Sequence, residues 1–174
     1  LNINASNLED DFVFNAGVNI DESTLTGTGA KGQLAAQALT QGTIDSTNSL
    51  KSAGVIPVSL AFSKHDIAYN NDITVNGSIL KTAKKDQDIT LAASDDTEVR
   101  LETIADTQGG AIGAASAKLK TAAAQQKLKV AGNSYLESTN DVNLYAGSNS
   151  GGINSSLDLE VLADAYNKNG IAGL

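Results

Sequence analysis

A seven-residue phrase, Asp-x-x-apolar-x-Ala-small, recurs along this chain. It reads Asp-Phe-Val-Phe-Asn-Ala-Gly at 11–17, Asp-Ile-Thr-Leu-Ala-Ala-Ser at 88–94 and Asp-Val-Asn-Leu-Tyr-Ala-Gly at 141–147. Residues two apart within each copy (Phe12, Phe14 and Ala16; Ile89, Leu91 and Ala93; Val142, Leu144 and Ala146) fall on one face of an extended strand. A strand with a polar start and a small-residue end, used repeatedly, predicts repetitive β architecture. The repeat continues on both sides of the phrase. Ile73–Ser78 resembles Leu128–Asn133, and Leu101–Asp106 resembles Leu159–Asp164, in the same order. The offsets drift from 55 to 53 to 58, so insertions are expected at corners between strands. Such a repeat reads as two or three coils of about 20 residues each. The third and weakest copy begins at Asp11.

The 174 residues suit a single repetitive β domain spanning 1–174, with repeats near 73–114 and 128–173. The chain has no Trp, Met or Cys, and only 3 Phe and 4 Tyr. Its apolar residues are mainly Ala, Leu, Ile and Val, which fit a thin interior lined by stacked strands. A net charge of −8 disfavours nucleic acid and anionic membranes as partners. No stretch is apolar enough to predict a membrane span. Without cysteine, thiol and zinc-thiolate chemistry are excluded. The chain starts at Leu, which suggests a processed protein or a piece of a longer one.

Leu1–Ala5 alternates apolar and polar residues and reads as a strand, followed by Phe12–Gly17 and a short strand near Thr24. Gln33–Gln41 has helical propensity but is short for a helix, and Asp45–Gly54 reads as a loop. Pro57, the only proline, belongs at a strand start or edge. Val58–Phe62, Ile67–Tyr69, Ile73–Val75 and Val99–Ala105 read as strands. The Ala-rich stretch 111–126 could form a helix on propensity. At the repeat offset of 55, however, Ala115, Ala117, Ala122 and Ala124 fall over Leu60, Phe62, Ile67 and Tyr69, so strands are expected.

Three segments together resemble the repeat region of very large bacterial surface exoproteins, the filamentous-haemagglutinin-like adhesins. They are Leu101–Gly110, Asp141–Gly147, and the run Leu157-Asp-Leu-Glu-Val-Leu-Ala-Asp-Ala-Tyr-Asn167. The likeness covers roughly residues 58–174. It implies a right-handed parallel β-helix (solenoid), secretion to the cell surface, and a role in adhesion or fibre building. Leu1–Ser52 matches the pattern poorly.

Few motifs point to chemistry. Gly27-Thr-Gly-Ala-Lys-Gly32 spells a dinucleotide-type glycine pattern, but a polar segment precedes it and only a short apolar run follows, so a turn is expected. Gln33 stands where a phosphate-binding loop needs Lys. His65, between Ser63 and Asp66, reads as a surface histidine, because strand neighbours point to opposite faces. The acids Asp95, Asp96 and Glu98 are the candidate ligands if the chain takes a calcium ion, the one cofactor considered. Paired carboxylates could also serve a polysaccharide lyase or glycosidase, but a single Arg argues against a polysaccharide groove, and no enzyme is expected.

The expected role is an extracellular structural or adhesive protein forming a fibre shaft. Its partners would be copies of itself, flanking repeats of a longer chain, and host or surface glycans. A second reading is a β-sandwich filament subunit whose N-terminal strand, with Leu1, Ile3 and Ala5 as assembly residues, completes a neighbour's sheet.

Overall fold

The structure, a computed structural model, describes residues 2–29, 33–54, 57–108 and 112–168. It contains ten strands and, among the described residues, no helix: β1 (Asn2–Asp21), β2 (Thr24–Gly27), β3 (Leu34–Ala53), β4 (Pro57–Asn76), β5 (Ile79–Thr82), β6 (Ile89–Gln108), β7 (Ile112–Ala131), β8 (Tyr135–Glu137), β9 (Val142–Ala146) and β10 (Ser156–Lys168). They form three parallel sheets: β1-β4-β7, β2-β5-β8, and β3-β6 followed by β9 and β10. The chain thus winds as a parallel β-helix whose coil is a long strand, a short strand and a long returning strand. Every ladder between these strands is parallel and joins one coil to the next, which is the architecture of a parallel β-helix and not of the β-sandwich filament subunit.

The coil is far wider than sequence reading suggested. Asn2 pairs with Pro57, Thr24 with Ile79, and Leu34 with Ile89, a constant step of 55 residues. One repeat is therefore one coil, not two or three. Each 20-residue strand extends about 66 Å, while successive coils lie only about 4.8 Å apart. The Asp11 phrase also changes place. It lies in β1, stacked on Asp66–Asp72, whereas the first-coil equivalent of Ile89, Leu91 and Ala93 is Leu34, Ala36 and Ala38. Gln33–Gln41 and Asp45–Gly54, read as ambiguous and as a loop, belong to β3 as far as Ala53. Pairing with β6 satisfies that backbone and overrides local propensity.

Side chains alternate strictly along β4 of the second coil. Odd residues from Pro57 to Val75 point inward and are buried, and even ones point out. The interior has two apolar clusters. One, near the short sheet, gathers Ile73, Val75, Leu80, Ile89 and Leu91; the other joins Ile67, Tyr69, Val99 and Leu101. Phe14 stacks on Tyr69 with ring centroids 5.2 Å apart. A polar layer separates the clusters: Thr40 Oγ1 donates to Asn71 Oδ1 at 2.7 Å, and Asn71 Nδ2 donates to the Ser94 carbonyl at 2.7 Å.

The Ala-rich stretch is strand β7, with Ala122 and Ala124 opposite Ile67 and Tyr69 as anticipated. A bulge at Lys120 shifts everything before it, so Ala115 and Ala117 face Ala61 and Ser63 rather than Leu60 and Phe62. Leu159 pairs with Val99, and it is Val161 that meets Leu101. That slip of two keeps every side chain on its predicted face.

The first corner of each coil needs a left-handed residue. Gly77 (φ 56°) and Gly132 (φ 66°) supply it, and Glu22 (φ 45°) takes the same place in the first coil. Serines lock these corners: the Ser23 amide donates to Ser78 Oγ at 3.0 Å, and the Ser78 amide to Ser134 Oγ at 3.2 Å. At the next corner, buried Gln87 joins all three coils. Its Nε2 donates to the Gly29 carbonyl at 2.7 Å, and its amide to Thr139 Oγ1 at 3.1 Å.

Candidate functional site

Strand alternation decides the fate of the candidate calcium ligands. Asp95 points into the helix and is 2% exposed, while Asp96 and Glu98 point out. The structure does not bring the three together, and among the described residues no group of three or more His, Cys, Asp or Glu side chains converges to hold a metal ion. Asp95 instead accepts a hydrogen bond from Gln126 Nε2, and its amide donates to Ser155 Oγ at 3.0 Å. Burial pushes its carboxyl above the usual carboxylate range, against those hydrogen bonds. Asp96 accepts from Gln41 Nε2 at 3.1 Å and Ser156 Oγ at 2.8 Å.

His65 is not on the surface. It is 1% exposed, stacked on Phe12 with centroids 6.4 Å apart. Its position in β4 faces inward, a placement the unbroken alternation of Ser63, His65 and Ile67 could have revealed. Asp10 Oδ2 lies 3.5 Å from Nδ1, too far for a good hydrogen bond. Burial therefore outweighs the nearby carboxylate and lowers the imidazole pKa. Ser63 is hydrogen-bonded to Thr103, so no Ser-His-Asp arrangement forms around it. These groups are an interior polar ladder, continued by Ser52 and Ser59 at 2.5 Å and by Ser6 Oγ donating to Asn48 Oδ1 at 2.8 Å.

The outer face of the sheet formed by β3, β6, β9 and β10 carries an open cleft of about 400 Å³, lined by Gln41, Asp96, Glu98, Ser156 and Asp158 among others. Glu98 and Asp158 are direct ladder neighbours, as are Arg100 and Glu160, whose Nε and Oε2 lie 3.3 Å apart. The lone Arg is thus held by the ladder. Segment 147–155, the insertion between β9 and β10, turns back through a Ser148–Asn154 bridge, and Ser150 Oγ donates to Gln37 Oε1 at 3.3 Å. It lies across this outer face and not over the end of the third coil.

The ends of the stack are the other exposed feature. Inward-facing side chains of the third coil emerge there: Val130, Val142, Leu144, Leu159 and Val161 are all exposed large apolar residues. At the other end β1 is an edge strand, paired only with β4 among the described residues. Ile3 and Ala5 pair with Val58 and Leu60 within it, and Ile3 is 59% exposed; Leu1 lies outside the described residues. Across the two coil interfaces charged pairs recur. Lys64 is paired with Glu9, whose carboxyl it holds below the usual range, Lys120 Nζ lies 3.4 Å from Asp66, and Lys81 Nζ lies 3.3 Å from Glu137. The glycine-rich motif falls at a coil corner, with Gly27 ending β2 and Gly32 outside the described residues. No helix follows it to seat a dinucleotide among the described residues. Comparison of the chain with protein-family models, with curated proteins and with solved structures finds no match.

Proposed function

We propose that this chain is a length of shaft in an elongated, extracellular surface protein of the filamentous-adhesin type, acting structurally and adhesively. The observation that carries this reading is the coil itself. Its first and second turns repeat in register at a step of 55 residues, and among the described residues it ends at both faces in strand edges without a partner and in half-exposed aliphatic side chains. Such edges attract further strands and are normally covered. A stack of this kind gains length at constant cross-section, which is what a fibre requires. The outer faces supply the adhesive surface. Outward-facing Val58 lies between Ile3 and Ile112, with Leu60 and Phe62 further along the same face, and the open cleft offers carboxylates, an amide and hydroxyls suited to sugar hydroxyls. Binding is favoured over turnover because Arg100, the one arginine of the chain, is paired with Glu160 and lines no groove opposite these acids. Immunogold electron microscopy of the source cells, with antibodies raised against this chain, tests the proposal. Label along fibres projecting from the surface is expected; label confined to the cell interior would overturn it.

A further inference from the structure

We infer that the chain stacks head to tail on copies of itself, the β7 edge of one copy docking on the β1 edge of the next. This rests on the shaft reading and gives the shaft a direction. The two edge strands of the first sheet carry opposite charge. β1 holds Glu9, Asp10, Asp11 and Asp21 and no Lys or Arg; β7 holds Lys118, Lys120, Lys127 and Lys129 and no acid. Between them β4 pairs with both, so each has one edge without a strand among the described residues. Like-with-like pairing of these edges would oppose four charges of one sign, which leaves the head-to-tail arrangement.

The register already present between coils specifies the contacts. Glu9, Lys64 and Lys118 share one row, so a following copy sets its Glu9 beside Lys118. Lys120, the bulge residue between the rows of His65 and Asp66, already pairs with outward-facing Asp66, and it meets the incoming Asp11, which shares that row. This repeats the Glu9–Lys64 and Asp66–Lys120 pairs that join the existing coils.

Shape agrees with charge. Ala122 and Ala124 share rows with Phe12 and Phe14, so small residues on one end receive rings from the other. Gly42, Thr97 and Leu157 form another row. Gly42 has no side chain there, and a hollow of about 170 Å³ opens beside it, lined by Phe14, Ile44, Tyr69 and Thr97. Leu157 of the neighbouring copy fills that hollow. One row opposes stacking: Glu160 shares its row with Asp45, so the sheet of β3, β6, β9 and β10 contributes packing and not ion pairing.

The test uses the intact chain and two double charge reversals. Lys118→Glu with Lys120→Glu reverses two of the four β7 charges, and Glu9→Lys with Asp11→Lys reverses the two β1 charges that face them. Within its own chain each double variant gains one opposite-charge row and one like-charge row against Lys64 and Asp66, so internal electrostatics stay balanced. Sedimentation velocity and negative-stain microscopy read assembly, and circular dichroism reads folding. The parent should form unidirectional stacks whose association weakens about tenfold or more between roughly 0.05 and 0.5 M salt. Each reversal alone should remain monomeric with the parent spectrum, and an equimolar mixture should assemble with the two variants alternating. Should either double reversal disturb folding, the single reversals Lys118→Glu and Glu9→Lys test the Glu9–Lys118 row alone: each should weaken assembly and their mixture should restore it. A parent that is monomeric at both salts, a reversal that assembles like the parent, or a mixture that stays monomeric would each overturn the inference. A monomeric parent would assign the edges to flanking coils of a longer chain and leave the surface-fibre reading standing. Absence of surface label would remove that reading without touching the stacking result.

Discussion

Leu91 and Leu144 occupy one row, a coil apart, yet Leu91 is 1% exposed and Leu144 is 48% exposed. The two residues share a sequence phrase, a strand position and an inward direction. They differ in what lies beyond them: Leu91 sits under a coil on either side, and Leu144 has one on only one side. A shared inward direction therefore means burial for Leu91 and not for Leu144. In a stacked-coil protein, burial is a property of position in the stack as much as of the residue.

The sharpest way to break this comparison is to place a charge in each site. Leu91→Asp should lower unfolding stability by about 3–5 kcal/mol, because it buries an unpaired carboxylate. Leu144→Asp in the dissociated chain should cost about 1 kcal/mol or less. Equal shifts in denaturant midpoint for the two variants would show that the third coil is covered. The corners provide the next largest contrast. A Cβ at Gly132 would lie 2.7 Å from the Gly77 amide nitrogen as well as 2.3 Å from Asn76 Oδ1, whereas at Gly77 nothing comes closer than 3.7 Å. Gly132→Ala should cost about 2–3 kcal/mol and Gly77→Ala about 1 kcal/mol, the conformational strain alone.

The buried titratable groups of the second coil should respond to pH in opposite senses. His65 has a lowered pKa when folded, so the unfolded chain binds its proton first. Its contribution to stability is complete above the ordinary value near 6.5 and is lost as pH falls below it. His65→Leu should flatten that part of the stability–pH curve measured by urea titration. Asp95 has a raised pKa, so its contribution is present at low pH and is lost as pH rises through the folded value. Asp95→Asn should stabilise the chain at neutral pH while keeping an acceptor for Gln126; a loss of stability would mean that the carboxylate charge itself is needed. The smallest effect belongs to the first coil. Glu22→Gly relieves a left-handed non-glycine residue, and a gain of about 0.5–1 kcal/mol is expected in thermal melts.

How much was legible varied with the kind of signal. The period-2 phrases marked strands and faces correctly, including Ile73 opposite Leu128 and Ile89 opposite Val142. The coil length was misjudged because apolar phrases mark only parts of each long strand. Polar runs such as Asp45–Ala53 complete it, and they look like loop until a ladder and buried partners for Asn48 and Ser52 are seen. The candidate metal ligands are split between the two faces of β6 for a reason visible in the chain, since the adjacent residues Asp95 and Asp96 of one strand point to opposite sides. His65 was misplaced because a polar residue at an inward position reads as surface unless the whole alternation is followed.

Taken by itself, the amino-acid order determined that this protein is built from strands, which residues share a face, and that the unit repeats near 55 residues. Those properties follow from alternation and spacing, which are local. Tertiary structure alone decided that the unit is a single wide coil, that a bulge at Lys120 resets the register of half a strand, and that identical positions are buried or exposed according to their coil. Such outcomes depend on which backbone edge lies against which, and a hydrogen-bond ladder between residues 55 apart leaves no mark within either strand.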